Sequence, residues 1–300
     1  MADPSKITPT RLPFAARDGW PMTGDLYVGP NPHIAIVISA GTGYPRHFYR
    51  HVAGYLAGQG AVVLTYDYRG IGDSGGGRDL SDSNIDYPDW GRFCVTAALD
   101  AIAAQVPGLP VAHLGHSAGG MFLGFTEGHE RFVRHAFVSV GTGFIGGHFK
   151  HRWPLEMFFW WGFGSYMLLR HGYIRSGRLW RGASLPPKLF RSWRRWSMRR
   201  SYIRPELATR YAPNHFDAIT APIRSWVFSD DGIATPQAAG DTLDYYPNAP
   251  RDLVLRKPSD YGLTHIGHDS AFRSGREVLW AELWDWLANG TLPDGIGYQA

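Results

Sequence analysis

Apolar and polar positions alternate along this chain in two periods. His33-Ile34-Ala35-Ile36-Val37-Ile38-Ser39-Ala40 is a continuous β-rich apolar run, and Ala61-Val62-Val63-Leu64-Thr65-Tyr66-Asp67-Tyr68 reads as another buried strand. Runs of this kind predict strands buried on both faces, which is the habit of parallel sheets. Shorter strands are predicted at Val111-Ala112-His113-Leu114, 135–140, 223–229 and 252–255. Between them the apolar spacing turns helical, at 46–56, 87–105 and 235–246. Ala271 to Leu287 predicts a closing amphipathic helix with Phe272, Val278, Leu279, Leu283, Trp286 and Leu287 mostly on one face. Residues 11–28, with Asp18-Gly19 as the turn pair, predict an antiparallel hairpin ahead of this series. Strands alternating with helices imply an α/β architecture, a mostly parallel central sheet with helices on both faces. In such sheets the chemistry sits in loops beyond the C-terminal strand ends.

One stretch breaks the alternation. Between Ile145 and Tyr211 there are 14 Lys and Arg against only Glu156 and Glu206, so the segment is strongly basic while the 300-residue chain as a whole carries +4. It holds six of the 12 tryptophans: Trp153, Trp160, Trp161, Trp180, Trp193 and Trp196. Such a shift marks an inserted unit, and the chain divides into a first core segment (11–143), a basic, Trp-rich helical cap (144–213) and a second core segment (214–290). Three uses of the cap are open: its tryptophans pack it onto the body, they line an acyl pocket, or arginines and tryptophans make a peripheral contact with an anionic membrane. Nucleic acid is not expected as a partner. A lone cysteine, Cys94, gives no disulfide framework and reads as a small buried residue of a helix. Met1–Lys6 has no apolar stretch that would make a secretory signal, and no run of about 18 apolar residues would span a membrane. A cytoplasmic protein is therefore expected.

The strand at 111–114 runs into Gly115-His116-Ser117-Ala118-Gly119, and Gly120 to Phe125 can begin a helix. G-x-S-x-G between strand and helix is a nucleophile elbow, a turn so sharp that side chains two positions either side of the serine would clash. Ser117 needs a base, because a neutral hydroxyl is a poor nucleophile. His265 and His268 lie in the loop before the closing helix, and Asp230 and Asp231 follow the strand at 223–229. The order serine, acid, histidine fits this architecture.

That order resembles the α/β-hydrolase superfamily, and other stretches do too. Asp67-Tyr68-Arg69-Gly70-Ile71-Gly72-Asp73-Ser74 is similar to its D-x-R-G-x-G-x-S segment, and Ser39-Ala40-Gly41-Thr42-Gly43 occupies the place of its His-Gly oxyanion loop. The resemblance is closest to the branch with serine aminopeptidases and monoacylglycerol-lipase-like enzymes. It implies Ser117 as nucleophile, His268 as base, Asp231 as acid, and the backbone N–H groups of Thr42 and Ala118 as the oxyanion hole. Asp230 and His265 stand as the alternative acid and base. Ala40 departs from the family, which usually has histidine there. With serine rather than aspartate at the elbow, an acyl-enzyme is implied, without metal or organic cofactor. The expected function is cleavage of carboxylic esters of hydrophobic or medium-chain acyl groups, a small-molecule acyl substrate. Acyl transfer or amide cleavage uses the same triad, and a catalytically silent binding protein with a basic cap is the reading from another class.

Overall fold

The computed structural model describes residues 7–77 and 79–290; Met1–Lys6, Arg78 and 291–300 lie outside the described residues. Eight strands form one sheet: β1 (Thr10–Ala15), β2 (Pro21–Val28), β3 (Ile34–Ser39), β4 (Ala61–Tyr66), β5 (Val111–His116), β6 (Phe132–Val138), β7 (Ile223–Phe228) and β8 (Arg251–Arg256). Their order is β1-β2-β4-β3-β5-β6-β7-β8. The hairpin β1–β2 is antiparallel and pairs antiparallel with β4; all other pairs are parallel. Every residue of β3, β4, β5 and β7 is buried, and β3 and β4 accordingly read as apolar runs. The edge strands β1 and β8 are partly exposed, and β1 tolerates Pro13 because an edge strand can spare an N–H.

Register brings the informative loops together. Ser39 lies opposite Gly115, His116 opposite Val138, Val138 opposite Trp226, and Phe228 opposite Arg256. The residues that follow β3, β5 and β7 therefore leave the sheet side by side, at one edge.

The helices differ from the expected spans in detail. Arg46–Tyr49 is a 3-10 turn before the helix Arg50–Gly58, and 87–105 contains a wide π-type segment at Trp90–Val95. Ala271 to Leu287 is not one helix. Ser270–Phe272 is a 3-10 turn, Gly275 at φ +79° interrupts the path, and the helix proper is Glu277–Trp284. Starting there, it turns Val278 outward at 64% exposure, while Leu279, Leu283, Trp286 and Leu287 are buried as expected. This helix packs beside Arg50–Gly58, with Tyr55 against Trp280.

The Asp67–Ser74 segment is structural. Asp67 is buried; it accepts from the Arg46 N–H at 2.8 Å, pairs with the Arg46 guanidinium, and accepts from the Asp73 N–H at 3.1 Å. A Cβ on Gly72 would come within 2.5 Å of the Asp67 carboxylate, and its φ is +49°, so glycine is required there. Arg69 makes two 2.9 Å hydrogen bonds to Asp18 in the hairpin turn and lies over the Phe93 ring. Cys94 is fully buried, and burial pushes its thiol up to about 11, so it is no nucleophile at neutral pH.

Between β6 and β7 the chain forms the helices Trp153–Met157, Gly164–His171 and Pro187–Ser197, with a π-type segment at Phe158–Phe163. Hydrogen bonds tie this segment to the body: Ser192 Oγ to Asp86 at 3.0 Å, the Ala183 N–H to the Gly43 carbonyl at 2.7 Å, and the Phe149 N–H to the Gly232 carbonyl at 3.0 Å. Among the described residues, no helix is long and apolar enough to cross a membrane.

Candidate active site

Ser117 sits between β5 and the short helix Ala118–Met121 at φ +51°, ψ −124°, a strained conformation for a residue with a side chain. Neighbouring glycines make this possible. A Cβ on Gly115 would lie 2.7 Å from Gly120, and one on Gly119 would lie 2.2 Å from the Ser39 carbonyl. The strain holds the serine hydroxyl out beyond the sheet edge.

His268 Nε2 is 2.9 Å from Ser117 Oγ, and His268 Nδ1 is 2.9 Å from Asp231 Oδ2. The second Asp231 oxygen accepts from the N–H groups of Ile233 and Ala234 at 2.9 and 3.0 Å. Burial raises the Asp231 carboxyl, but the imidazole and these two amides outweigh it and hold the group down at about 2. Burial lowers the His268 imidazole, and the Asp231 carboxylate overcomes that, so its pKa lies above the ordinary value. Ser117 can thus give its proton to Nε2 while Nδ1–H is held by a permanent anion.

Adjacent in sequence, Asp230 and Asp231 point to different partners. Asp230 accepts from the Ile266 N–H at 2.9 Å and pairs with His265 at 2.7 Å. The alternative acid and base therefore engage each other, on the outer side of the loop, where His265 is exposed. Ala118 opens the helix after the serine, so its N–H has no intrahelical acceptor. Thr42 follows β3, lines the same cavity as Ser117, and its hydroxyl is fixed by Tyr87 Oη at 2.8 Å.

The architecture and the elbow together decide the fold: the strand order, the positive-φ serine after β5 and the acid and histidine after β7 and β8 form one constellation. The chain has the α/β-hydrolase fold. The serine aminopeptidase S33 family model matches residues 30–162, which include the loop after β3 and the elbow and stop short of Asp231 and His268. The chain is similar to a soluble variant of monoglyceride lipase from Saccharomyces cerevisiae in complex with a substrate analogue, at 15% identity, TM-score 0.67, covering 97% of this chain and 98% of the other. It is also similar to a thermostable carboxyl esterase from Bacillus coagulans in complex with glycerol, at 16% identity, TM-score 0.63, covering 95% and 99%. A Pyrococcus furiosus esterase is similar at 14% identity, TM-score 0.58, covering 94% and 93%. No curated protein matches this chain by sequence.

Ser117 and His268 open onto a cavity of about 730 Å³. The inserted segment supplies Phe159, Trp160, Phe163, Trp180, Trp193 and Trp196 to its wall; the turns after the elbow supply Met121, Phe122 and Phe125. A smaller polar group lines it too: Glu156 accepts from His148 at 2.8 Å and from Arg152 at 3.1 Å. Leu155, Phe158 and Leu179 line the cavity and are more than half exposed, so they form its mouth. Sequence reasoning gave Tyr49, Tyr87 and His116 no role. His116 stood inside the elbow motif; the two tyrosines carry no local signal.

Proposed function

We propose that this protein is a hydrolase that cleaves carboxylic esters of hydrophobic acyl groups through an acyl-enzyme on Ser117. His268 takes the serine proton and returns it to the leaving alcohol, Asp231 fixes the imidazole tautomer and stabilises its cation, and the N–H groups of Thr42 and Ala118 receive the developing oxyanion. The observation that carries this reading is the unbroken hydrogen-bonded line from Ser117 through His268 to Asp231, ending in an aromatic cavity. Attack of Oγ on the ester carbonyl forms the C–O bond to the enzyme; collapse expels the alcohol, protonated by His268. Water, deprotonated by the same imidazole, then releases the acid and the free serine.

An aromatic wall rewards acyl length. Each methylene buried is worth about 0.8 kcal/mol, or roughly fourfold in kcat/KM while space lasts. Across p-nitrophenyl esters from acetate to decanoate, kcat/KM is expected to climb well past acetate. A maximum at acetate contradicts the acyl-pocket role of the insert.

The base must be neutral to act, and its pKa is raised. On a plot of kcat/KM against pH, activity is therefore lost as pH falls through an inflection above the ordinary histidine value of 6.5. Asp231, held at about 2, stays ionised throughout and adds no second acidic limb. An inflection well below 6.5 counts against His268 as the base.

The insert also fits a lipid surface. Trp153, Phe158, Trp161 and Leu169 are exposed among exposed Lys150, Arg170, Arg175, Arg178 and Arg181. Aromatic rings at the acyl boundary and arginines at anionic headgroups would seat the cavity mouth on the bilayer. The protein is expected to co-sediment with phosphatidylserine vesicles at low salt and to be released at high salt. No binding at low salt removes the membrane contact.

A further inference from the structure

Ala40 lacks the side chain with which the resembling family shapes the loop after β3, and here that loop is held differently. The Gly41 N–H donates to Tyr49 Oη at 2.9 Å. Tyr49 Oη lies 2.7 Å from His116 Nδ1, and His116 Nε2 lies 3.0 Å from the main-chain oxygen of His268. Both rings are buried. Burial, reinforced by the neighbouring His268, drives the His116 imidazole down to about 3, so it is neutral.

The direction of every bond follows. A carbonyl oxygen only accepts, so His116 Nε2 carries the proton. Nδ1 of the neutral ring then holds a lone pair and accepts the Tyr49 hydroxyl proton, and the Tyr49 oxygen accepts from Gly41. Three hydrogen bonds run one way, from the loop after β3, through the elbow, to the backbone of the residue whose side chain faces Ser117. Phe272 packs on both rings, at centroid distances of 5.0 Å from Tyr49 and 4.7 Å from His116. A Cβ on Gly41 would come within 2.9 Å of His116 Nδ1, so glycine lets the loop lie against the ring.

We propose that Tyr49 and His116 are positioning residues that lock the oxyanion loop, the elbow and the His268 loop into one register, a role that rests on the serine-hydrolase reading above. Neither touches the reacting atoms. Their effect is on geometry: the Thr42 N–H and His268 Nε2 must both meet groups at Ser117, and misplacement of about 1 Å can cost roughly 100-fold. The relay couples the two loops that carry those groups.

The test compares kcat, KM and melting temperature for Tyr49→Phe, His116→Gln, His116→Leu and the double variant Tyr49→Phe/His116→Leu, on a p-nitrophenyl ester. Tyr49→Phe is expected to lower kcat about 10-fold with KM within about threefold and little change in melting temperature. His116→Leu is expected to lose about 100-fold. His116→Gln, which keeps one acceptor and one donor, recovers most of that loss. The double variant is no worse than His116→Leu alone, because the chain is already cut. Wild-type kcat in Tyr49→Phe overturns the proposal, as do equal losses in the two His116 variants. If His116→Leu does not fold, Tyr49→Phe, which removes a single oxygen, decides alone. A wild-type protein without esterase activity overturns the serine-hydrolase reading and the relay with it; an active wild type with an unaffected Tyr49→Phe overturns the relay only.

Discussion

Ser117→Ala is expected to lower kcat for ester hydrolysis by about 10^4-fold or more, with a near-unchanged melting temperature. The loss corresponds to about 5.5 kcal/mol of transition-state stabilisation. Alanine removes the atom proposed to form the acyl bond and leaves the aromatic cavity and the loop after β3 in place, so binding survives and the residual rate is that of water in a preorganised site. The elbow depends on Gly115 and Gly119 rather than on the hydroxyl, since it is their missing side chains that admit Gly120 and the Ser39 carbonyl. Steady-state kinetics with a p-nitrophenyl ester, beside a thermal melt, checks both halves. Near-wild-type turnover in the alanine variant would remove Ser117 from the mechanism.

Asp231→Asn is expected to cost about 10^4-fold in kcat, while Asp230→Asn costs less than about 10-fold. Two neighbouring residues of one type should differ this much because of what each faces. Asp231 accepts the His268 Nδ1 proton at 2.9 Å while two backbone amides hold its other oxygen. An asparagine there can turn its NH2 toward Nδ1, which places the imidazole proton on Nε2, where it faces Ser117 and blocks proton acceptance. Asp230 instead binds the Ile266 N–H and His265; its loss loosens the loop without changing the tautomer. The same assay on both variants, with melting temperatures, separates the roles. A larger loss at Asp230 reverses the assignment.

Much of the fold was legible because burial on both faces leaves an unmistakable trace. β3 and β4 appear in the sequence as apolar runs, and the hairpin is marked by Asp18-Gly19. The closing helix was less legible: Val278 fits the apolar spacing, yet Gly275 resets the helix start and turns that side chain outward. The elbow was legible because steric need writes glycine at fixed offsets. The choice of Asp231 over Asp230 was legible only through the family resemblance, since alternation of side chains leaving β7 depends on the turn that follows. Tyr49 was invisible: it lies 67 residues from His116, and only the closure of the sheet brings the two rings together. The segment between β6 and β7 stands out by charge and tryptophan content, but where its rings point is a matter of packing, which composition does not encode.

The most direct test of the central claim is covalent. A fluorophosphonate probe captures only an activated serine. Incubated with the native protein, it is expected to add once per chain, with the adduct mapped by mass spectrometry to the peptide containing Ser117, and to leave Ser117→Ala unlabelled. Labelling elsewhere, or none on the native protein, contradicts a serine hydrolase at this elbow and favours a protein that kept the fold for binding alone.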